Sequence, residues 1–237
     1  KDKCSEQGIV VFNTPGANAN AVKELVIAGL LISNRKVIEG YEWAKTLKGN
    51  GAAVGKMVEK GKSQFVGPEI KGKTLGVIGL GAIGILVAKA AVALGMDVIG
   101  FDQIKTVSNA LKRAPTVKHV PLSDDTSDMD DSNMIAKMKD GVRILNFSRD
   151  GLVNSTAVLE AVKSGKVAKY VTDFGTDDIL GEENIICLPH LGASTPESEE
   201  NCAVMACDQV KEYLDDGSII YSVNYPANSL ARPDADD

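Results

Sequence analysis

The sequence has no long apolar run and no excess of basic residues. Its most apolar run, residues 25–32, is far shorter than the roughly 20 residues that cross a bilayer, and residues 1–8 lack the apolar core of a signal peptide. Its 26 Lys and Arg residues stand against 32 Asp and Glu residues, so a net charge of −6 leaves no basic face for a nucleic-acid backbone. We therefore expect a soluble, cytoplasmic protein that binds neither membranes nor nucleic acids.

The sequence is also poor in aromatic residues and has no closely spaced cysteine pair. It contains one Trp, five Tyr and five Phe among 237 residues, and its four cysteines form no Cys-x-x-Cys pattern. We expect reduced structural thiols and no metal site. Because small aliphatic residues and glycine are plentiful instead, the composition favours a packed α/β sheet over a sandwich or a barrel.

Short β-rich runs alternate with helical stretches along most of the chain. The pattern predicts strands at 8–13, 74–80, 97–101, 143–147, 167–173 and 184–189. It predicts helices at 18–38, 82–94, 133–138 and 156–163. A last helix is expected to start at Ser194, Thr195 and Pro196 and to run to about Leu214. Strands separated by helices in this order predict an α/β fold with a doubly wound parallel sheet of the Rossmann type.

The most specific motif is a Gly-x-Gly-x-x-Gly turn between an apolar strand and an Ala-rich helix. Its residues are Gly79, Gly81, Ala82, Ile83 and Gly84. The first glycine permits the tight turn, the second lets a pyrophosphate approach the backbone, and the third lets helix and strand pack closely. The phosphates of a dinucleotide would then bind the N–H groups and the positive dipole end of the helix.

Asp102 stands at the end of the next strand, where dinucleotide-binding proteins place an acidic residue. Its carboxylate can accept hydrogen bonds from both hydroxyls of the adenosine ribose. Its negative charge would also repel a 2′-phosphate. The sequence therefore predicts NAD, rather than NADP, as the cofactor.

A second informative stretch, residues 146–153, directly follows a predicted strand. Ligands of open α/β sheets bind beyond the carboxyl ends of the strands, so Arg149 is expected to face the cofactor crevice and Ser148 to contact the cofactor. The planar fork of Arg149 can hold a substrate carboxylate in two hydrogen bonds and polarise an adjacent carbonyl.

Two further strand ends carry acidic and histidine side chains. His190 is a candidate proton shuttle, and a neighbouring carboxylate would keep it basic and oriented. Asp177 and Asp178 are both candidates for that carboxylate. Asp173 ends a strand and is a candidate to bind the nicotinamide amide.

His119, the second of the two histidines, has two open interpretations. Together with Pro121 it could line the nicotinamide side of the cofactor cleft. Alternatively, His119 has a structural role.

Taken together, these motifs resemble those of the D-isomer-specific 2-hydroxyacid dehydrogenases. The most specific stretches are NTPGANANAVKELV, GVIGLGAIG, RILNFSRDGLV, PHLGASTPESEENCA and SVNYP. The resemblance implies that Arg149 and His190 are catalytic together with an acidic residue, that Asp173 holds the nicotinamide carboxamide, and that Asn18 lies near the substrate and the domain hinge. The family normally has Glu where this chain offers Asp177 or Asp178.

The resemblance also implies the reaction and the cofactor. A D-2-hydroxy acid would pass a hydride to NAD, with oxidation of 3-phosphoglycerate to 3-phosphohydroxypyruvate, a step of serine biosynthesis, as the expected reaction. The small-molecule substrate would bind between the NAD-binding domain and a substrate domain. Related enzymes pair through a segment such as 41–66 in a two-fold contact, so we expect a homodimer.

The resemblance further divides the chain into three segments. Residues 1–13 match a remnant of the substrate domain, residues 14–192 match the NAD-binding domain, and residues 193–237 match a C-terminal helix and tail that return to the substrate domain. We expect most of the substrate domain to precede Lys1 in the full-length protein. We also expect residues to be missing near 103–118, where the family has a further helix and strand.

One alternative from another class of protein stays open. A cofactor fingerprint indicates binding and not turnover, so an NAD-sensing interaction protein of the corepressor type could share this fold. The absence of an evident peptide-docking insert argues against that alternative. A substrate-dependent change in NADH absorbance would distinguish the two.

Overall fold

The computed structural model describes residues 1–102, 117–119 and 132–228. Pro121 and most of the stretch where residues are expected to be missing, 103–116, lie outside the described residues. The chain divides into two compact units. The smaller unit combines Lys1–Val22 with Ala193–Asp237, and the larger unit is Lys23–Gly192.

The described residues form helices and short strands with the following bounds. The helices are α1 Asp2–Glu6, α2 Ala19–Asn34, α3 Val37–Thr46, α4 Val54–Gly61, α5 Ala82–Ala93, α6 Ser132–Lys137, α7 Ser155–Lys163 and α8 Pro196–Asp216, with short 3₁₀ helices at Gly51–Ala53 and Lys62–Phe65. The strands are β1 Thr74–Ile78, β2 Asp97–Phe101, β3 Val117–His119, β4 Val142–Asn146, β5 Val167–Thr172 and β6 Ile185–Cys187. Among these described helices, none combines the length and the apolar character that a membrane span needs.

The strands of the larger unit form two three-stranded parallel sheets, β1–β2–β3 and β4–β5–β6. Helix α5 connects β1 to β2, and helix α7 connects β4 to β5. Parallel neighbours need such crossover helices because each strand must return to the same end of the sheet. The predicted α/β fold with parallel strands is confirmed, and the strands are divided between two sheets.

Each sheet packs against its own apolar cluster. The first combines Ala88 and Ala91 of α5 with Val98 of β2, and the small alanines let the helix approach the sheet closely. The second combines Val158 of α7 with Val167 of β5. Both clusters bury aliphatic side chains, which agrees with the low aromatic content of the sequence.

Helix α2 and strand β4 connect the two clusters of the larger unit. Leu30 of α2 belongs to the first cluster, and Leu145 of β4 packs against the same cluster. The Arg143 Nε of β4 donates a hydrogen bond of 2.9 Å to the Ser33 carbonyl in α2. The second sheet is therefore held to α2 by both apolar and polar contacts.

A buried ion pair fixes α3 to β5. The Lys169 side chain lies in the middle of β5, is buried, and donates a hydrogen bond to the Glu39 carboxylate of α3. Burial opposes ionisation of Glu39, but the hydrogen bond and the charge of Lys169 outweigh it, so the pKa of Glu39 lies below its ordinary value. A charged residue in a central strand has to be paired in this way because an unpaired buried charge is costly.

Two predicted elements differ from the structure. The helix predicted at 18–38 ends at Asn34, because the Asn34 and Ser33 side chains both donate to the Leu30 carbonyl and compete with the next helical turn. The strand predicted at 8–13 is wrong. Only Phe12 forms a bridge there, while the Val11 N–H donates to the Asn224 side chain instead of a neighbouring strand.

Helix α8 of the smaller unit begins as the sequence predicts. The Thr195 Oγ1 accepts a hydrogen bond of 3.1 Å from the Ser198 N–H, and Pro196 occupies the first turn. A hydroxyl acceptor and a proline without an N–H both suit this position, since the first N–H groups of a helix have no partner within it. The helix ends at Asp216, before Gly217.

The glycine turn between β1 and α5 packs closely at one glycine and is open at another. A Cβ atom at Gly84 would lie 1.9 Å from the Gly79 carbonyl oxygen, so the first turn of α5 touches the backbone directly. A Cβ atom at Gly81 would meet no atom within 4 Å. Gly79 itself has a φ of +86°, which favours glycine.

We predict that Gly84→Ala destabilises the protein and that Gly81→Ala does not. The Gly84 methyl group can be accommodated only by a backbone shift, which should lower the free energy of unfolding by about 2 kcal/mol or more. Gly81 has a φ of −67° and open surroundings, so its alanine variant should stay within about 1 kcal/mol of the wild type. Urea unfolding followed by circular dichroism measures both, and equal stability of the two variants would contradict the packing argument.

Candidate active site

The glycine turn and three strand ends supply the candidate site in the larger unit. Gly81 precedes α5, and Ala82 and Ile83 are the first two residues of that helix. Because Gly81 has no side chain, it gives the first N–H groups of α5 no side-chain acceptor. These N–H groups and the open space at Gly81 suit an approaching phosphate.

Asp102 is tied directly to the glycine turn. Its Oδ2 accepts a hydrogen bond of 2.7 Å from the Leu80 N–H. Leu80 is almost completely buried, so its backbone gives the Asp102 carboxylate a fixed support. The carboxylate thus lies next to the turn that would hold the phosphates, and its contact with a ribose stays a prediction.

Asn146 organises the turn that presents Arg149. The Asn146 side chain is buried at the end of β4, where its Oδ1 accepts from the Ser148 N–H at 3.2 Å and its Nδ2 donates to the Arg149 carbonyl at 3.0 Å. The side chains of Ser148 and Arg149 are exposed. The Arg149 guanidinium is therefore accessible to a ligand while its backbone is fixed.

Thr172 connects the ends of three neighbouring strands. Its Oγ1 donates to the Asn146 carbonyl at 3.0 Å and accepts from the Phe174 N–H at 3.1 Å. Its own carbonyl accepts from the Leu188 N–H at 2.8 Å, just past the end of β6. The side chain of Thr172 is completely buried.

Asp173 is buried and has an unsatisfied carboxylate oxygen. The residue is only 5% exposed, and its Oδ1 has no hydrogen-bond partner among the described residues. Burial raises the pKa of Asp173, and the nearby His190 partly offsets that shift. A buried acceptor without a donor is costly, so this oxygen is a position where a ligand N–H would bind favourably.

His190 lies beside Asp173 at the next strand end. Its ring packs edge-on against the Phe174 ring, with 4.9 Å between centroids and 67° between planes. Its N–H donates to the Leu188 carbonyl at 3.0 Å, and its φ of +43° lies in the left-handed region. A non-glycine residue in that region is uncommon and is held there by its surroundings.

The two candidate acidic partners of His190 are exposed, and Asp178 is bonded elsewhere. Asp178 accepts a hydrogen bond of 2.5 Å from the Thr176 Oγ1, and hydrogen bonds from Ser155 and Thr176 lower the pKa of Asp178. Within the part of the chain that the structure describes, neither Asp177 nor Asp178 forms an ion pair with His190. The pairing with His190 stays a prediction.

A polar cleft opens between the ends of β4 and β5 and the start of α7. Its volume is about 240 Å³, and residues that line it include Asn146, Asp150, Asn154, Tyr170, Phe174 and Thr176. Burial raises the pKa of the Tyr170 phenol, so this group stays protonated and can donate a hydrogen bond. The cleft provides space for a small polar molecule beside Phe174.

Two further predicted site residues are Asn18 and His119. Asn18 belongs to the smaller unit, where its carbonyl accepts a hydrogen bond from the Val22 N–H at the start of α2. The backbone of His119 pairs with Gly100 in the first sheet, and its side chain is not described. The proposed roles of both residues stay predictions. Across the described ranges, no group of three or more metal-ligating side chains comes together.

Sequence reasoning missed the supporting roles of Asn146 and Thr172. Each is a polar residue at the last position of its strand, next to apolar residues. A buried polar group needs a partner, so this position in the pattern was an available signal. The contact between Phe174 and His190 had no comparable signal, since the two residues belong to different strand ends.

The chain is similar to known dehydrogenases over most of its length. Residues 27–192 match the NAD-binding domain of the D-isomer specific 2-hydroxyacid dehydrogenases. Hydroxypyruvate reductase of Thermotoga maritima is 36% identical over 232 residues, which cover 90% of this chain and 72% of that protein. D-3-phosphoglycerate dehydrogenase of Methanocaldococcus jannaschii is 32% identical over 234 residues, which cover 90% of this chain and 43% of that protein.

Solved structures agree with this assignment. D-lactate dehydrogenase of Aquifex aeolicus, crystallised with NAD and lactic acid, has a TM-score of 0.68 and 25% identity, covering 95% of this chain and 76% of that one. The chain spans about half or less of the length of the phosphoglycerate dehydrogenases that it matches.

These findings confirm the predicted family and the predicted cofactor class. The matched residues contain the glycine turn, Asp102, Arg149, Asp173 and His190. The chain belongs to the D-isomer-specific 2-hydroxyacid dehydrogenases and carries their NAD-binding domain.

Proposed function

We propose that the protein is an NAD-dependent dehydrogenase that oxidises 3-phosphoglycerate to 3-phosphohydroxypyruvate. The observation that supports it best is the unpaired, buried carboxylate oxygen of Asp173 beside His190. A nicotinamide carboxamide offers the N–H donor that this oxygen lacks. Relatives named D-3-phosphoglycerate dehydrogenase support the choice of substrate, and hydroxypyruvate reductase is a relative as well.

The described residues fit NAD at both ends of the cofactor. The open space at Gly81 and the free start of α5 suit the pyrophosphate, and Asp102 beside them suits the adenosine ribose. Asp173 suits the carboxamide. When bound, NAD supplies the hydride acceptor at its nicotinamide ring.

Three side chains would do the protein's part of the reaction. Arg149 binds the substrate carboxylate through its fork and polarises the oxygen that becomes the carbonyl. His190 removes the hydroxyl proton as the hydride leaves the neighbouring carbon. Asp178 or Asp177 keeps His190 oriented, which requires a rearrangement of the Thr176 contact seen for Asp178.

The corepressor-like alternative receives no support from the relatives and structures named above. Substrate-dependent NADH absorbance in the full-length protein distinguishes the two functions, because a sensor binds the cofactor without consuming it.

Our proposal keeps the division into substrate-side segments, 1–13 and 193–237, and an NAD-binding segment, 14–192. The folding of Lys1–Val22 with Ala193–Asp237 as one unit supports it, as does the end of the larger unit at Gly192. A cytoplasmic location stays a prediction.

We predict that His190→Ala lowers kcat of the full-length enzyme roughly 10²–10⁴-fold while NADH still binds. Binding should survive because the contacts proposed for the pyrophosphate and the adenosine ribose lie at the glycine turn and at Asp102. Arg149→Lys should instead raise KM for the hydroxy acid and lower kcat, since an ammonium cannot reproduce the bidentate fork. Steady-state absorbance assays measure both variants. Near wild-type turnover of His190→Ala from neutral to alkaline pH would show that another group moves the proton.

We predict that Asp102→Ser narrows the preference for NAD over NADP. The serine removes the charge that repels a 2′-phosphate and the carboxylate that accepts from the ribose hydroxyls. Fluorescence titrations with NADH and NADPH measure the ratio. Asp97→Ser, at the exposed start of the same strand, is the control and should leave the ratio unchanged. Equal affinities for both cofactors in the wild type would reject the role of Asp102.

We predict that Asp173→Asn weakens NADH binding about tenfold, because one carboxylate acceptor is replaced by an amide. It should also change the pH dependence of stability. A raised carboxyl pKa means that the folded protein binds more protons, so wild-type stability falls as the pH rises from the ordinary Asp pKa through the folded one. The asparagine variant should lose that fall, and Asp177→Asn, at an exposed position, should retain it. Identical pH profiles for Asp173→Asn and the wild type would contradict the burial argument.

We also propose a homodimer that forms through the segment 41–66. Tyr41 and Val66 are large side chains of this segment that are 62% and 74% exposed. Such side chains on one segment favour a self-complementary contact. We predict that sedimentation at micromolar concentration shows a dimer and that Tyr41→Glu shifts it to monomer, whereas a strictly monomeric wild type would reject this interface.

A further inference from the structure

We propose that Thr172 and Asn146 are positioning residues that hold Arg149, Asp173 and His190 in one arrangement. The inference rests on the proposed function for the roles of those three side chains. It concerns two buried residues with uncharged side chains.

The register places Asn146, Thr172 and Cys187 side by side at the ends of β4, β5 and β6. One turn leaves each strand at this row. The first turn carries Arg149, the second Asp173 and the third His190. The relative positions of these side chains therefore depend on the hydrogen bonds that attach the three turns to the ends of the strands.

The Thr172 hydroxyl forms hydrogen bonds to two of these segments. It donates to the Asn146 carbonyl at 3.0 Å and accepts from the Phe174 N–H at 3.1 Å, so it bridges β4 and the turn that contains Asp173. Serine can make both bonds, whereas valine has nearly the same shape and can make neither. The substitution by valine leaves a carbonyl and an N–H without their partner.

Two series of contacts link Thr172 to His190, one through its side chain and one through its main chain. Through its side chain, Thr172 fixes the Phe174 backbone, and the Phe174 ring packs against the His190 ring at 4.9 Å. Through its main chain, Thr172 binds the Leu188 N–H, and the Leu188 carbonyl binds the His190 N–H. A change at the Thr172 hydroxyl acts only on the first route, so the β-sheet itself is preserved.

The Asn146 side chain holds the remaining turn. Its amide supplies one acceptor to the Ser148 N–H and one donor to the Arg149 carbonyl. Aspartate cannot supply the donor, and alanine supplies neither group. The two positioning residues thus act on different parts of the site, and their variants should have different kinetic signatures.

Proton NMR of the histidine rings tests the Thr172 connection without requiring turnover. The chain has only two histidines, so His190→Ala assigns the signals. Thr172→Val should shift the ring signals of His190 and weaken NADH binding about tenfold, the effect of roughly one hydrogen bond. Thr172→Ser should restore both, and Thr156→Val, at an exposed position of α7, should change neither.

Steady-state kinetics of the full-length enzyme test the Asn146 connection. Asn146→Asp and Asn146→Ala should each raise KM for the hydroxy acid and lower kcat about tenfold, with NADH affinity unchanged. If Thr172→Val does not fold, the Asn146 variants still carry the test. A His190 signal that is identical in Thr172→Val and the wild type would overturn the inference. So would equal effects of the Asn146 variants on NADH and hydroxy-acid binding. Absence of turnover in the wild type would reject the proposed function and leave the NMR result to decide on Thr172.

Discussion

The parallel register of β4, β5 and β6 is the constraint on which the candidate site depends. It aligns Asn146, Thr172 and Cys187 in one row, so three short turns open at the same edge of the sheet. The segments that leave β4, β5 and β6 at this edge present Arg149, Asp173 and His190. The chemistry is therefore assembled from residues that are far apart in the chain.

The three buried polar residues at this edge differ in how well they are satisfied. Asn146 and Thr172 have partners for their side-chain groups, whereas Asp173 has an oxygen without one. An unpaired buried polar group costs about 1–3 kcal/mol, which the rest of the fold must offset. The same deficit favours a ligand that brings an N–H donor. At Asp173, the unpaired oxygen lowers the stability of the free protein and favours cofactor binding.

Local sequence signals predicted the elements whose causes are local. The start of α8 at Thr195 and Pro196 and the turn at Gly79 follow from the chemistry of single residues and were predicted correctly. Other features depend on long-range contacts. The Val11 N–H bonds to the side chain of Asn224, which is 213 positions away in the sequence, instead of to a neighbouring strand. Glu39 pairs with Lys169, which is 130 positions away. The burial of Asp173 likewise depends on neighbours that no local pattern contains.

The central claim is that the edge formed by Asp173, Phe174 and His190 binds the nicotinamide end of the cofactor. The most direct measurement is the nuclear Overhauser effect between the nicotinamide protons of bound NADH and the ring protons of Phe174 and His190. The account predicts cross-peaks to both rings in the wild type. Saturating NADH binding with cross-peaks to neither ring would show that the nicotinamide binds elsewhere and would contradict the account.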